Sequence, residues 1–370
     1  MSHLLTPLER YQRDLQRPDF HYDAAQAAAV DHLQRLYDGL LAARAASPRS
    51  WWSRLVRGKQ RPAQIKGLYF WGGVGRGKTY LMDSFYESLP FDDKLRVHFH
   101  RFMRRVHAEL KALAGQKNPL EGVADKIRAE ASVICFDEFF VSDITDAMIL
   151  GTLMEALFAR GITLVATSNI EPDHLYKNGL QRARFLPAIE LLKIHTLVVN
   201  VDGGVDHRLR ALEQAELYHS PLDKAADESL MHSFQSLSQL VEEVQQDVVI
   251  EIEGRPIRAR YLADDVAWFD FDALCDGPRS QNDYIELAKE YHTVILSNVP
   301  ALGRSKDDQA RRFINLIDEF YDRQVKLIVS AEKPLSEIYS EGRLTFEFQR
   351  TVSRLLEMQS REYLARPHRP

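Results

Sequence analysis

A glycine-rich segment that ends in lysine and threonine constrains the fold of this chain more than any other feature. The segment is Gly72-Gly73-Val74-Gly75-Arg76-Gly77-Lys78-Thr79. The apolar run Leu68 to Trp71 precedes it, and an amphipathic stretch from Lys78 to Leu89 follows. A strand, a glycine loop and a helix in this order let backbone N–H groups and a helix N-terminus surround a phosphate. The segment therefore predicts a phosphate-binding loop in an α/β fold.

Short apolar runs alternate with amphipathic stretches after Gly67, a pattern typical of a parallel sheet covered by helices. The five runs are Leu68 to Trp71, Leu95 to Phe99, Val133 to Phe136, Thr163 to Ala166 and Thr196 to Val201. We therefore expect a nucleotide-binding core with a five-stranded parallel sheet over residues 67–204. Residues 1–66 are expected to form an N-terminal helix and a basic linker, and residues 205–370 a helical lid and a mixed α/β region.

Two adjacent carboxylates, Asp137 and Glu138, follow the apolar run Val133 to Phe136. Many strands end in solvated charges, but a carboxylate pair downstream of a phosphate loop is a stronger signal. Asp137 and the Thr79 hydroxyl can hold Mg²⁺, while Glu138 can polarise the attacking water. Lys78 can contact the β- and γ-phosphates. The sequence thus predicts ATP and Mg²⁺ as cofactors, and ATP hydrolysis as the reaction.

Other candidate residues depend on whether this core is of the AAA+ type. Asn169 ends the run that starts at Leu164, where AAA+ domains carry a polar sensor of the γ-phosphate; alternatively it begins a turn or caps a helix. Arg182 is the candidate for an arginine presented to the nucleotide of a neighbouring subunit, and Arg184 lies close to it. A solvated helix face or an ion pair with a carboxylate is the alternative for both arginines. Either Arg208 or Arg354 is a candidate second sensor.

Charge and cysteine content limit the classes of function and compartment. The formal net charge is −5 with 27% charged residues, which does not favour nucleic acid as a partner. The two cysteines, Cys135 and Cys275, are too few for a disulfide framework or a four-cysteine zinc site. Residues 1–20 lack the apolar core of a signal peptide, and no run approaches the roughly 18 apolar residues of a membrane span. We expect a cytoplasmic protein whose membrane contacts, if any, are peripheral.

The C-terminal region contains a weak internal repeat and the N-terminal region a basic segment. Each copy of the repeat is a strand, a helix and a second strand. The first copy is Val133 to Phe136, Met148 to Phe158 and Ile162 to Ser168, and the second copy is Val294 to Leu296, Arg312 to Tyr321 and Val325 to Ala331. Strand-helix-strand units are common, so the pattern fits either a duplication or coincidence. The basic segment, Arg44 to Arg61, surrounds Trp51 and Trp52 and is either a solvated loop or a surface that stacks on bases.

Taken together, these motifs resemble the ZapE family of cell-division ATPases and its mitochondrial Afg-type relatives. The segments that carry the resemblance are Gly67 to Thr79, His98 to Met103, Cys135 to Phe139, Asp143 to Ala147, Ala166 to Asn169, Leu175 to Arg182, Ala310 to Phe313, Leu316 to Asp318 and Arg350 to Leu355. The likeness runs from about Tyr22 to Leu364. It implies an AAA+ fold and an ATPase that acts on FtsZ polymers at the division ring and lowers their stability.

The resemblance also implies contact with the divisome or the membrane surface, and a homo-oligomer whose subunits share ATP sites. Mitochondrial relatives are linked instead to quality control of inner-membrane proteins, and the lack of an Arg- and Ser-rich presequence favours the bacterial branch. Two other classes of function remain open from the sequence. One is a nucleic-acid-handling ATPase of the helicase-loader type, and the other is a nucleotide switch without turnover, which Glu138 argues against.

Overall fold

The structure is a computed structural model that describes residues 4–17, 20, 22–46, 65–73, 76–203, 207–238, 244–263, 265–340 and 342–369. The chain divides into two compact units, Met1–Val205 and Asp206–Pro370. Val74, Gly75 and the Trp51-Trp52 segment lie outside the described residues, as does the side chain of Arg208. Among the described helices, none combines the length and the apolar character needed to cross a membrane.

The first unit contains the predicted parallel sheet and two helices ahead of it. Its elements are α1 (Pro7–Asp14), α2 (Ala24–Ala46), β1 (Gly67–Trp71), α3 (Lys78–Ser88), β2 (Lys94–His98), α4 (Phe99–Ala112), α5 (Pro119–Glu130), β3 (Val133–Asp137), α6 (Ile144–Ala159), β4 (Thr163–Ser168), α7 (Leu186–His195) and β5 (Thr196–Asn200). The strands are all parallel, in the order β2-β3-β4-β1-β5. This confirms the predicted five-stranded sheet.

Helices on both faces explain why the central strands are continuously apolar. Every residue of β3 and β4 is buried, as expected for strands that are covered on both sides. Under the sheet, aromatic rings pack at the end of β3, with ring centroids 4.3 Å apart for Phe99 and Phe139 and 4.6 Å apart for Phe102 and Phe136. This packing holds the chain rigidly where it leaves β3.

The strand register brings the predicted functional segments to one edge of the sheet. Asp137 pairs with His98 of β2, and Trp71 pairs with Ser168 of β4. Because β4 lies between β1 and β3, the residues that follow all three strands meet at their carboxyl ends, where α/β sheets of this kind bind ligands.

The second unit is built on a mixed sheet. Its elements are α8 (His207–Gln214), β6 (Tyr218–His219), α9 (Lys224–Leu237), β7 (Gln245–Ile252), β8 (Arg255–Ala263), β9 (Val266–Asp270), α10 (Phe271–Cys275), α11 (Gln281–Glu290), β10 (Thr293–Val299), α12 (Asp307–Asp322), β11 (Lys326–Ala331), α13 (Thr345–Met358) and α14 (Arg361–Leu364). The strand order is β6-β11-β10-β9-β8-β7. Strands β6, β11, β10 and β9 are parallel, whereas β7, β8 and β9 pair antiparallel.

Strands β7 and β8 form an antiparallel hairpin with a two-residue turn. Glu253 and Gly254 have φ angles of 51° and 71°, so both central residues are left-handed, as a two-residue hairpin turn requires. Both halves of the predicted repeat are also present, because β10, α12 and β11 form a parallel strand-helix-strand unit like that of β3, α6 and β4.

Candidate nucleotide-binding site

The glycine-rich loop leaves β1 at Gly72 and enters α3 at Lys78. Gly77 is the residue before the helix, and its φ of 74° lies in the left-handed region that favours glycine. A Cβ atom on Gly77 would also come within 2.4 Å of the Gln26 Nε2 atom. The left-handed conformation therefore favours glycine at this turn, and a larger residue would also displace the Gln26 amide. The turn aims the first N–H groups of α3 at the loop.

Helix α2 braces the loop from the N-terminal part of the first unit. Gln26 is 4% exposed, and its Nε2 donates to the Arg76 carbonyl oxygen at 3.2 Å. Asp23 fixes the start of the helix, because its Oδ1 accepts from the N–H groups of Ala25 and Gln26 at 2.7 and 3.0 Å. The sequence does not predict the role of Gln26, because its partner Arg76 is 50 positions away in the chain.

The Lys78 ammonium lies inside the loop. Its Nζ donates to the carbonyl oxygens of Gly72 and Gly73 at 2.8 and 2.6 Å. Phosphate oxygens are stronger acceptors for a cation than neutral carbonyls. Lys78 can therefore contact a phosphate with little movement of its side chain.

Arg76 links the loop to the residues that follow β5. The Arg76 Nε lies 2.9 Å from Asp202 Oδ1. Asp202 is held in a turn, because its N–H donates to Asn200 Oδ1 at 2.8 Å. Arg76 thus has a structural contact in addition to its place in the predicted loop.

The carboxylate pair lies at the end of β3, as the sequence predicted. Asp137 is buried, and Glu138 is half-buried with a φ of 52°. A left-handed conformation is uncommon for residues other than glycine and is concentrated at functional sites. It is held here by Thr167, whose Oγ1 accepts from the Glu138 N–H at 3.2 Å and whose carbonyl accepts from the Phe139 N–H at 2.7 Å.

A basic residue that sequence reasoning missed contacts Asp137. Arg96 of β2 donates from Nε to Asp137 Oδ2 at 2.7 Å, and from Nη1 to Asp83 Oδ1 of α3. No local pattern marks Arg96, because a charged residue in a short strand looks like any other solvent-facing position. Only the register of β2 beside β3 brings it to the carboxylate.

Asn169 directly follows β4, on the strand between the phosphate loop and the carboxylate pair. It is half-buried. The turn there is stabilised by its neighbour, since the Ser168 hydroxyl donates to the Phe139 carbonyl at 2.7 Å and accepts from the Ile170 N–H at 3.1 Å. Asn169 therefore lies at the same edge of the sheet as the phosphate loop and the carboxylate pair.

The candidate arginines differ in their contacts. Arg182 is half-buried and donates from Nη2 to the Asp173 carbonyl at 2.7 Å, whereas Arg184 is exposed and bonds to Gln181 Oε1 at 3.3 Å. In the second unit, Arg354 pairs with Asp318 at 2.7 Å. That ion pair gives Arg354 a structural role within its own unit.

Two buried titratable groups in strands β3 and β1 remain neutral near pH 7. Burial raises the pKa of the Cys135 thiol on β3. Burial likewise raises the pKa of Tyr69, whose hydroxyl donates to the Ile170 carbonyl at 2.8 Å. Both side chains therefore act as packing and hydrogen-bonding groups under the site.

The arrangement as a whole can hold a phosphorylated ligand and a hard cation. Lys78 and the N-terminus of α3 suit phosphate. The Thr79 hydroxyl, half-buried in the first turn of α3, and the Asp137 carboxylate are oxygen ligands of the kind that Mg²⁺ prefers. The donor set therefore fits a metal–nucleotide complex.

A family model and the similar proteins described below agree on one family for this chain. The model of the AFG1-like ATPase family matches residues 5–367. The chain is 52% identical to the cell division protein ZapE of Escherichia coli strain K12, over 98% of both chains. It is 38% identical to lactation elevated protein 1 homolog B of Danio rerio, over 82% of this chain and 69% of that protein.

Likeness to solved structures is more distant. The crystal structure of DnaI aligns with a TM-score of 0.35 and 18% identity, over 54% of this chain and 93% of that one. A TM-score this low does not define the fold of the present chain. The fold is defined here by the strand order of its two sheets. The family match covers almost the whole chain, and it coincides with the phosphate loop and the carboxylate pair described above. This chain belongs to the AFG1-like ATPase family and is an ATP-hydrolysing enzyme.

Proposed function

We propose that this enzyme hydrolyses ATP with Mg²⁺ at the carboxyl edge of the first sheet and uses the energy to remodel a protein partner during cell division. The observation that carries the proposal is the position of Asp137 and Glu138, which is separated from the phosphate loop only by β4. This spacing allows one nucleotide to contact the loop, the carboxylates and Asn169 at once.

In this proposal, the loop from Gly72 to Thr79 binds the phosphates, and Lys78 contacts the β- and γ-phosphates. The Thr79 hydroxyl and Asp137 hold the metal. Mg²⁺ neutralises charge on the phosphates when it is bound. Lys78, Thr79 and Asp137 each lie in a helix or a strand, so little reorganisation of these three residues is needed on binding.

Glu138 is assigned to the attacking water. It accepts the proton that the water loses, or orients the water in line with the γ-phosphate. The hydrogen bond from its N–H to Thr167 couples its backbone to β4, next to Asn169. Asn169 is assigned to the γ-phosphate or to the same water. Loss of the γ-phosphate would then change a contact made at the end of β4, the strand that also holds the Glu138 backbone.

The Glu138→Gln variant tests hydrolysis directly. We expect turnover to fall by about 10²- to 10⁴-fold, because the amide cannot accept a proton, while ATP affinity is retained. Steady-state phosphate release and equilibrium binding of a fluorescent ATP analogue measure the two quantities. Glu190→Gln on the exposed face of α7 is the matched control. Unchanged hydrolysis in Glu138→Gln would remove Glu138 from its role.

A role in cell division is proposed from the relatives. The Escherichia coli relative is named a cell division protein. The resemblance to the ZapE family implies FtsZ polymers as the partner, and we propose the cytoplasm as the location. The experiment is co-sedimentation of the enzyme with polymerised FtsZ, together with ATPase rates with and without FtsZ.

We expect ATP-dependent loss of FtsZ pellet with the wild type and none with Lys78→Ala. Single-stranded DNA and detergent-solubilised inner-membrane protein are parallel arms of the assay. Stimulation by DNA that decreases steeply with salt would replace the proposal with a nucleic-acid function. Stimulation only by the membrane protein would replace it with quality control.

An oligomer with shared ATP sites is the last part of the proposal. Arg182 and Arg184 are the arginines assigned to a neighbouring subunit's nucleotide, and the exposed side chain of Arg184 makes it the more accessible of the two. Wild-type enzyme is mixed with excess Arg182→Ala or Arg184→Ala. A loss of activity greater than dilution supports trans contact for that residue, and proportional loss excludes it.

A further inference from the structure

The guanidinium of Arg96 lies between two buried carboxylates. It bonds to Asp137 Oδ2 at 2.7 Å and to Asp83 Oδ1. The side chains of Asp83 and Asp137 are 11% and 8% exposed, and that of Arg96 is 22% exposed. This is a largely dehydrated cluster, unlike the exposed ion pairs elsewhere in the unit.

The cluster joins three elements around the proposed metal position. Arg96 comes from β2, Asp137 ends the neighbouring strand β3, and Asp83 comes from α3. Asp83 lies four residues after Thr79, so the two side chains share one face of the helix. Two carboxylates therefore meet at the guanidinium of Arg96, and the Thr79 side chain lies one helical turn from Asp83 on the same face of α3.

Charge balance makes Arg96 more than a packing residue. Two carboxylates this close in a poorly hydrated site repel each other, and they require a cation or a proton. Arg96 supplies that cation permanently. It also occupies Oδ2 of Asp137, which fixes the plane of the carboxylate.

We propose that Arg96 is a positioning residue that orients Asp137 for the metal and keeps the nucleotide-free site from binding a divalent cation tightly. The metal then enters together with the nucleotide, whose phosphates supply the additional negative charge. This inference rests on the assignment of Asp137 to Mg²⁺ in the proposed function.

The test uses the full chain without nucleotide and Mn²⁺ as the probe, with free Mn²⁺ measured by electron paramagnetic resonance. We expect the Arg96→Gln variant to bind Mn²⁺ at least tenfold more tightly than the wild type, because two carboxylates are left without their cation. Arg96→Lys keeps a charge but loses the forked geometry, so its affinity should lie close to that of the wild type.

Two further variants separate this mechanism from loss of structure. Adding Asp83→Asn to Arg96→Gln removes one of the repelling carboxylates and should abolish the gain in Mn²⁺ affinity. Arg105→Gln, which breaks an exposed pair with Glu130, should leave Mn²⁺ binding unchanged. If Arg96→Gln lowers the melting temperature and does not tighten Mn²⁺ binding, Arg96 is only structural and the proposal is wrong.

Failure of the inference is distinguishable from failure of the proposed function. Asp137→Asn is titrated with Mn²⁺ in the presence of ATP. Unchanged affinity there would remove Asp137 from the metal site and overturn both proposals. Weakened affinity there, combined with no effect of Arg96→Gln without nucleotide, would overturn the role of Arg96 alone.

Discussion

The two units contain the same arrangement of four parallel strands, but the chemistry at the strand ends differs. In the first unit the strands run in the order β1-β4-β3-β2, and in the second β6-β11-β10-β9. The connections also agree: one helix follows β1 and β6, two follow β2 and β9, and one joins β3 to β4 and β10 to β11. The β7–β8 hairpin is an addition between α9 and β9.

The loop after the first strand shows the clearest difference. Six residues, Gly72–Gly77, precede α3, whereas only Ser220–Asp223 precede α9. The Asp223 carboxylate caps α9 by accepting from the Ala226 N–H at 2.8 Å. In the second unit, an internal carboxylate thus occupies the helix N-terminus, the position that would attract a phosphate in the first.

The end of β10 has the same backbone turn as the end of β3, but it carries Ser297 and Asn298 where β3 carries Asp137 and Glu138. Glu138 and Asn298 have φ angles of 52° and 64°, and each donates its N–H to a hydroxyl on the next strand. The acceptors are Thr167 Oγ1 at 3.2 Å and Ser330 Oγ at 3.1 Å. The comparison teaches that this turn belongs to the strand-helix-strand geometry, while function resides in the side chains placed on it.

The largest expected effect compares two lysines that each begin a helix. Lys78 starts α3 inside the loop, and Lys224 starts α9 but pairs with Glu228 at the surface. We expect Lys78→Ala to lower ATP turnover by about 10²- to 10³-fold, because a positioned donor to the phosphates is lost. Lys224→Ala should change it less than twofold. ATPase rates of both variants give the answer, and a strong effect at Lys224 would make the second unit part of the catalytic machinery.

The residues before the same two helices give the next effect. Gly77→Ala forces a side chain into a left-handed conformation and against Gln26, at a cost of about 1–3 kcal/mol. We expect ATP affinity to fall about tenfold or more. Asp223→Ala should leave ATP affinity alone and lower the free energy of unfolding by about 1 kcal/mol through loss of the cap. Calorimetric titration measures the ATP affinity, and urea unfolding measures the free energy of unfolding. A loss of ATP affinity in Asp223→Ala but not in Gly77→Ala would contradict the comparison.

A smaller effect tests the contact that α2 makes with the phosphate loop. Gln26→Ala removes one hydrogen bond to the loop, worth about 0.5–1.5 kcal/mol, so ATP affinity should fall roughly 2- to 10-fold. Gln34→Ala is the control, because Gln34 lies on the same helix but bonds to Asp38 and to the Leu8 N–H rather than to the loop. Equal losses in both variants would show that α2 contributes only general stability.

The elements that could be predicted from the sequence are those whose signal is local. The glycine loop, the apolar strands, the Asp137-Glu138 pair and the Glu253-Gly254 turn all lie within a few consecutive residues. Helix α1 was missed although its start carries a capping box of Thr6 and Glu9. Its polar composition concealed the buried face that it uses.

The contacts that could not be predicted join residues far apart in the chain. Gln26 reaches the loop across 50 positions, and Arg96 reaches Asp137 across 41. Polar residues in a helix or an edge strand look solvent-exposed until the register of the neighbouring element is known. Strand β6, with two residues, is also too short to carry an alternating pattern. Tertiary pairing alone defines it.

The smallest expected signal uses one cysteine in each unit to ask whether the two cores are equally protected. Burial raises the pKa of both thiols, Cys135 on β3 and Cys275 at the end of α10. A raised pKa keeps the thiol protonated, and the thiolate is the reactive form, so iodoacetamide at pH 8 should label neither residue in the native protein. In increasing urea, each thiol should become reactive when its own unit opens. Mass spectrometry of the two peptides reports the order, and fast native labelling of Cys135 would mean that the strand carrying Asp137 opens without the rest of its sheet.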